Sequence, residues 1–136
     1  MTRRSHISQV RDERGQAAVE FALVAPALIV LLLAIVQCGI TFSHYLAVTD
    51  AARAAARKAV VARVAGLTAA DIQQAGDDAA ADLDGTQLGV AVSPPNPAAQ
   101  MAGTDVTVTV TYPYEINVLG YHYKGSLTST MTDRIE

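Results

Sequence analysis

The chain has no tryptophan and a single cysteine, Cys38. One cysteine excludes an intramolecular disulfide and a cysteine-rich metal site. Aromatic residues make up only 5% of the 136 positions, so a soluble core must be built mainly from Ala and Val. Histidine is scarce as well: His6, His44 and His122. None of the three has Cys, His or carboxylate neighbours at ligand spacing. No phosphate-binding glycine loop is present. Ser126 and Ser129 have no base at a nucleophile's spacing. No catalytic constellation follows, and the chain is read as neither an enzyme nor a cofactor binder. Asp71, Asp77, Asp78, Asp82 and Asp84 lack the alternation, central Gly and terminal Glu of a calcium loop, and are read as a solvated acidic face. The net charge is −3, and clustered cations of the kind that bind phosphate backbones are missing, so no nucleic-acid partner is expected. Asn117 is followed by Val118 and Leu119, which is not a glycosylation sequence.

One further absence organises the molecule. No charged residue occurs from Phe21 to Phe42. As a helix rising ~1.5 Å per residue, those 22 positions reach about 33 Å, enough to cross a hydrocarbon core of ~30 Å. Gln37, Cys38, Gly39 and Thr41 dilute the run only near its end, where Cys38 serves as a small apolar filler. Residues 16–42 are therefore read as a transmembrane helix. Pro26 falls inside it and removes one backbone donor. It is either a bend used in packing or a proline that the membrane helix tolerates.

The exception at the edge of the run is Glu20, since an ionised carboxylate without a partner is costly in lipid. It is either an interfacial residue reaching the headgroups or half of a pair. A cut after Gly15 would make Gln16 the first residue, with a new amine one helical turn from Glu20. In a packed set of such helices, the amine of one subunit then pairs with the carboxylate of another.

Arg14-Gly15-Gln16-Ala17-Ala18-Val19-Glu20-Phe21, with the apolar run behind it, resembles the N-terminus of TadE-like proteins, the pseudopilins of tight-adherence (Flp) pilus systems. The resemblance covers Arg14 to Ala62 and includes Ala51-Ala52-Arg53-Ala54-Ala55-Ala56-Arg57. Past residue 65 it is loose, resting on Val-Thr-rich strands and Tyr112-Pro113-Tyr114. It implies a leader, residues 1–15, cut between Gly15 and Gln16 by a prepilin-type peptidase; Glu20, Phe21 and Pro26 are the candidate assembly residues. It also implies other pilins and pseudopilins, and an inner-membrane pilus platform, as partners beside the lipid bilayer. The family often carries an acidic residue near the outer end of the span, where this chain has Gln37. The expected function is that of a minor pilin-like subunit taking part in pilus assembly. The other reading is an uncleaved, signal-anchored single-pass protein whose outer head binds a ligand or cell-wall component.

Residues 1–15 hold four Arg against Asp12 and Glu13. Arg53, Arg57 and Lys58 follow the span, so the positive-inside difference is small. The N-terminus is placed in the cytoplasm and the head outside, partly on the resemblance. Without the leader, the net −3 falls to −5.

The helix is expected to run from about Ala18 to Val64, with residues 43–65 as an extension outside the membrane. His44 and Tyr45 mark the outer interface. Val48, Ala52, Ala55, Ala59 and Ala62 form a small-residue stripe, opposite a face bearing Asp50, Arg53 and Arg57. The stripe is read as a seam for another pilin-like helix, or else as the packed face beneath a solvated one. Arg53 and Arg57 are interface candidates.

Residues 66–136 are expected to form a small α+β head. Thr68 caps a second helix that runs to about Leu83 with Ile72, Ala75, Ala79 and Leu83 on one side. Three antiparallel strands follow, giving a pilin-like architecture. The first is Leu88 to Val92, before an exposed loop at Ser93-Pro94-Pro95-Asn96-Pro97. The second is Asp105 to Tyr112, with Val and Tyr inward and Thr outward, and Pro113 ends it. Tyr114 to Gly125 is read as a long loop with Tyr121, His122 and Tyr123 at its tip. Ser126 to Ile135 is the third strand. Tyr114, Tyr121 and Tyr123 are either a binding loop or the packing residues of a chain short of aromatics.

Overall fold

A computed structural model describes residues 6–118 and 120–136. The chain divides into two compact units, Met1–Cys38 and Gly39–Glu136. Helix α1, His6–Val60, contributes to both.

From Phe21 to Cys38 α1 carries no charge and is apolar on every side. Val19, Phe21, Leu23, Leu28, Leu31 and Leu32 are all more than half exposed. A helix without a polar face belongs in an apolar surrounding. Among the described residues it is the one helix long and apolar enough to cross a membrane, and it is a candidate membrane anchor. It is already helical at His6, the first described residue, rather than only from near Ala18, because Gln, Arg and Glu in residues 7–14 are compatible with helix and Gly15 alone, at ~1 kcal/mol, does not stop propagation. The helix also passes through Pro26 unbroken.

The second unit contains the core. Val48, Ala51, Ala52, Ala55, Ala59 and Ala62 are completely buried. They pack in one cluster with Ile72, Leu83, Leu88, Val106, Val108 and Val110. The small-residue stripe is thus covered by the chain's own head, which corrects its reading as a seam for a separate helix. Small side chains here let the head approach the helix backbone closely. After a turn at Val61, α2, Ala62–Ala65, ends on Gly66 in the left-handed region (φ 67°), whose N–H bonds to the Ala62 carbonyl. The break at Val61 replaces the expected continuation to Val64.

Helix α3, Ala69–Ala79, opens with a full capping box between Thr68 and Asp71. It closes at Ala80, short of Leu83, and its buried face is Ile72 and Gly76, followed by Ala80 and Leu83 beyond its end. The expected Ala75 and Ala79 are instead half-buried and exposed. Gly76 is what shifts the face. A Cβ there would lie 3.2 Å from the Val90 side chain and 3.7 Å from Ala55, so the absent side chain lets α3 close on α1 and the first strand.

The strands β1, Gly89–Ser93, β2, Asp105–Val118, and β3, Tyr121–Arg134, form one antiparallel sheet in that order. Its register is Gly89↔Thr111 to Ser93↔Thr107 on one side of β2, and Asp105↔Arg134 to Val118↔Tyr121 on the other. Val106, Val108, Val110 and Tyr112 face the core. On the outer face Thr107 bonds Thr132 (2.9 Å) and Thr109 bonds Thr130 (3.3 Å) through their hydroxyls. Leu127 and Met131 pack on the core edge, and Ile135 is buried just past β3. The proline segment between β1 and β2 is not wholly exposed, since Pro97 is buried at the start of a short 3-10 turn, Pro97–Ala99.

The expected loop from Tyr114 to Gly125 is instead the far half of a β2–β3 hairpin, and Pro113 pairs with Ser126 inside it. β1 ends its pairing at Thr111, so β2 has a free edge from there on, the setting in which a strand accepts proline.

Candidate functional site

At the head of the apolar helix, the Gln16 side-chain amide donates a hydrogen bond to Glu20 Oε1 at 3.0 Å. Residue 16 and the Glu20 carboxylate therefore share a helix face one turn apart, the placement that the four-residue spacing predicts. Gly15, Gln16, Glu20, Phe21 and Pro26 are all exposed along this segment, and a Cβ at Gly15 would meet nothing within 4 Å. Gln16 and Glu20 are brought together, while Phe21 and Pro26 lie on the open apolar surface. Cys38 is a free, exposed thiol.

Above the span, His44 sits edge-on to Tyr112, with ring centroids 5.7 Å apart. His44 thus braces the sheet, and no group of three His, Cys, Asp or Glu side chains that could hold a metal occurs among the described residues. Arg53 pairs with Asp50 at 3.1 Å, both well exposed. Such a pair contributes only about 0.3–0.5 kcal/mol. Arg57 and Lys58 line a shallow open groove between α1 and α3 with Ala54, Ala75 and Asp78. Arg53 and Arg57 thus stand on the solvent side of the helix, opposite the buried alanines.

Of the acidic residues of the α3 region, Asp71 serves a cap and Asp84 a turn, Asp78 and Asp82 are exposed, and Asp77, read as solvated, instead has one buried carboxylate oxygen with no hydrogen-bond partner. Hydrogen bonds from the Thr68 hydroxyl and then the Thr68 N–H hold the Asp71 carboxyl below its ordinary value. Asp84 is lowered in the same way by the Thr86 hydroxyl and the Gln87 amide, which closes the turn leading into β1.

The tyrosines separate into two groups. Tyr112 is buried. Tyr114 lies over Gly125, its register partner, so closely that a Cβ there would fall 2.6 Å from the ring. Its ring centroid is 6.2 Å from that of Tyr123. At the hairpin end, Tyr121 and Tyr123 are 83% and 63% exposed. On the opposite face, Glu115 is 3.4 Å from Lys124 and 3.6 Å from His122. The Gly125 seat and this charged cluster depend on strand register, and become visible only once Tyr114 is known to face Gly125.

The TadE-like protein family model matches residues 15–57, the stretch from the glycine before Gln16 to Arg57. No curated protein and no solved structure matches the chain.

Proposed function

From the match of residues 15–57 to the TadE-like protein family model, we propose that the chain is a minor pilin-like subunit of tight-adherence pilus assembly, matured by cleavage between Gly15 and Gln16. The observation that carries this reading is the pairing of Gln16 with Glu20, 3.0 Å apart on one face at the head of an all-round apolar helix. In the uncut chain the Gln16 amide occupies one carboxylate oxygen. Cleavage adds a cationic amine at the same place. A charge-assisted hydrogen bond from that amine to Glu20 of a neighbouring subunit is roughly twice as strong as a neutral one. In lipid the alternative is an uncompensated carboxylate, so packing of subunits is favoured once the amine exists.

The partners are a prepilin-type peptidase, other pilins and pseudopilins, and an inner-membrane platform. The span crosses the membrane once, with residues 1–15 cytoplasmic and the α+β head outside, and Phe21 and Pro26 sit on the surface that packs. The chain is the substrate of an enzyme rather than one itself. Gly15 lies within continuous helix, so the peptidase must open that turn, and glycine is the residue at which helix opens most readily after proline. The same continuity of α1 across the cleavage bond favours a second reading, an uncleaved anchor whose head binds a ligand or cell-wall component.

The test is the N-terminal residue and intact mass of the protein purified from its own membranes, for wild type and Glu20→Ala. The expected result is a chain beginning at Gln16 in both, with the variant absent from sheared pili. A wild-type chain that keeps its first fifteen residues would overturn the pilin reading in favour of the uncleaved anchor.

A further inference from the structure

The β2–β3 hairpin extends beyond its pairing with β1 and beyond Tyr112, the last buried residue of β2 among the described residues, and its direction is fixed at two points within the unit Gly39–Glu136. At one end the Glu136 N–H donates to the Val60 carbonyl (3.3 Å), and the Ile135 N–H to the Thr104 carbonyl (2.9 Å). At the other end, Tyr112 meets His44. The seven steps from Asp105 to Tyr112 span about 23 Å at ~3.3 Å each. The sixteen steps from Val60 back to His44 span about 24 Å at ~1.5 Å each. The two lengths agree, so β2 runs along the His44–Val60 part of α1, against its direction, towards Phe42.

β2 then continues for six more paired residues, to Val118, about 20 Å past Tyr112. Phe42, the last residue of the charge-free run, is only two helical steps, about 3 Å, below His44. The hairpin is thus several times longer than it needs to be to reach that level, even if it is steeply inclined to the helix. Its two faces differ in chemistry. Tyr114, Ile116, Tyr121 and Tyr123 continue the core face beyond the core, whereas Glu115, Asn117, His122 and Lys124 occupy the other face. Tyrosine, apolar in its body and polar at its tip, is enriched at membrane–water interfaces.

We propose that this hairpin is a second membrane contact, with Tyr121 and Tyr123 resting in the headgroup layer of the bilayer that the apolar helix crosses. The inference rests on the reading of that helix as a membrane anchor. The occupant of the tyrosine face is lipid, because the hairpin is long enough to reach the level of Phe42, where the charge-free run ends towards the head, and the described part of the head offers that face no cover.

The chain lacks tryptophan, so single substitutions report position without background. Full-length Tyr121→Trp, Phe42→Trp and Met101→Trp would be reconstituted in vesicles of phosphatidylethanolamine and phosphatidylglycerol, with and without bromine on the acyl chain near the headgroup. Met101 is 83% exposed and lies in the loop beside Ile135, at the far end of the sheet. The expected result is loss of fluorescence for Phe42→Trp and Tyr121→Trp and none for Met101→Trp. Quenching of Phe42→Trp without Tyr121→Trp would overturn the hairpin contact and leave the anchor standing. A blue-shifted, unquenched Tyr121→Trp would assign the face to protein instead of lipid, which also overturns it. Absence of quenching at Phe42→Trp would remove the anchor reading and the hairpin contact together.

Discussion

Thr68 closes the start of α3 in both directions. Its hydroxyl accepts from the Asp71 N–H at 3.3 Å and donates to Asp71 Oδ2 at 2.7 Å, while its own N–H donates to the same oxygen at 2.7 Å. Removing such a cap costs about 1 kcal/mol, so Thr68→Ala should lower the stability of the head by roughly that amount at neutral pH. The pH dependence has a definite sign. Asp71 is ionised more easily in the folded chain than in the unfolded one, because donors from Thr68 favour its charged form. Its contribution is therefore complete above the unfolded value of 3.8 and is lost as pH falls through the lower folded value. Asp84, lowered by Thr86 and Gln87, adds to the same acid loss. Urea unfolding of wild type and Thr68→Ala in detergent, from about pH 7 to about pH 3, should give curves that converge as Asp71 protonates. A constant gap down to the acid limit would show that the Thr68 hydroxyl acts only on the Asp71 N–H and not on its carboxylate.

The elements show how far residue spacing carries. The apolar run, the small-residue stripe, the Thr68 cap and the Val-Thr alternation of β2 each have a fixed period or a local chemical signature, and each was legible in the sequence. What covers a stripe is not periodic. Alanines spaced for close approach fit a neighbouring subunit and the chain's own sheet equally well, and Gly76, the residue that settles which face of α3 is inward, has no side chain to show it. Pro113 misleads for a related reason. It ends a strand flanked on both sides but not one flanked on one side, and the length of β1, which decides between these, lies about twenty residues away. The Gln16–Glu20 face was legible because four residues make one turn. The Tyr114–Gly125 seat was not, since it depends on register. The covered stripe makes a prediction of its own. Ala55 is fully buried and touches the space over Gly76, so Ala55→Leu should cost about 1–3 kcal/mol through overpacking. Ala54→Leu, on the half-exposed groove one position earlier, should change stability by less than about 0.5 kcal/mol. Loss of the near-ultraviolet tyrosine signal in denaturant measures both. An Ala55→Leu head as stable as wild type would mean that the stripe is not closed by the sheet, and would restore it as a surface for another helix.

Across the whole molecule, burial and apolar exposure fall in different places. Every hydrophobic residue of the described core lies between Val48 and Ile135, inside the unit Gly39–Glu136. Most residues of the charge-free run are exposed among the described residues. The described core is therefore built wholly from the second unit, and the exposed apolar helix is a candidate membrane anchor. Residues 39–136 produced alone should fold in aqueous buffer, with a cooperative melt and slow amide exchange along Val106, Val108 and Val110, while the full chain requires detergent. Exposed Ile40, Phe42, Tyr45 and Leu46 remain at the base of the truncated head. It should accordingly self-associate more than Phe42→Ser in the same fragment, as sedimentation velocity reads directly. If the fragment fails to fold while the full chain in detergent folds, the head depends on the membrane segment, and its contact with lipid would have to be counted among the forces that hold it together.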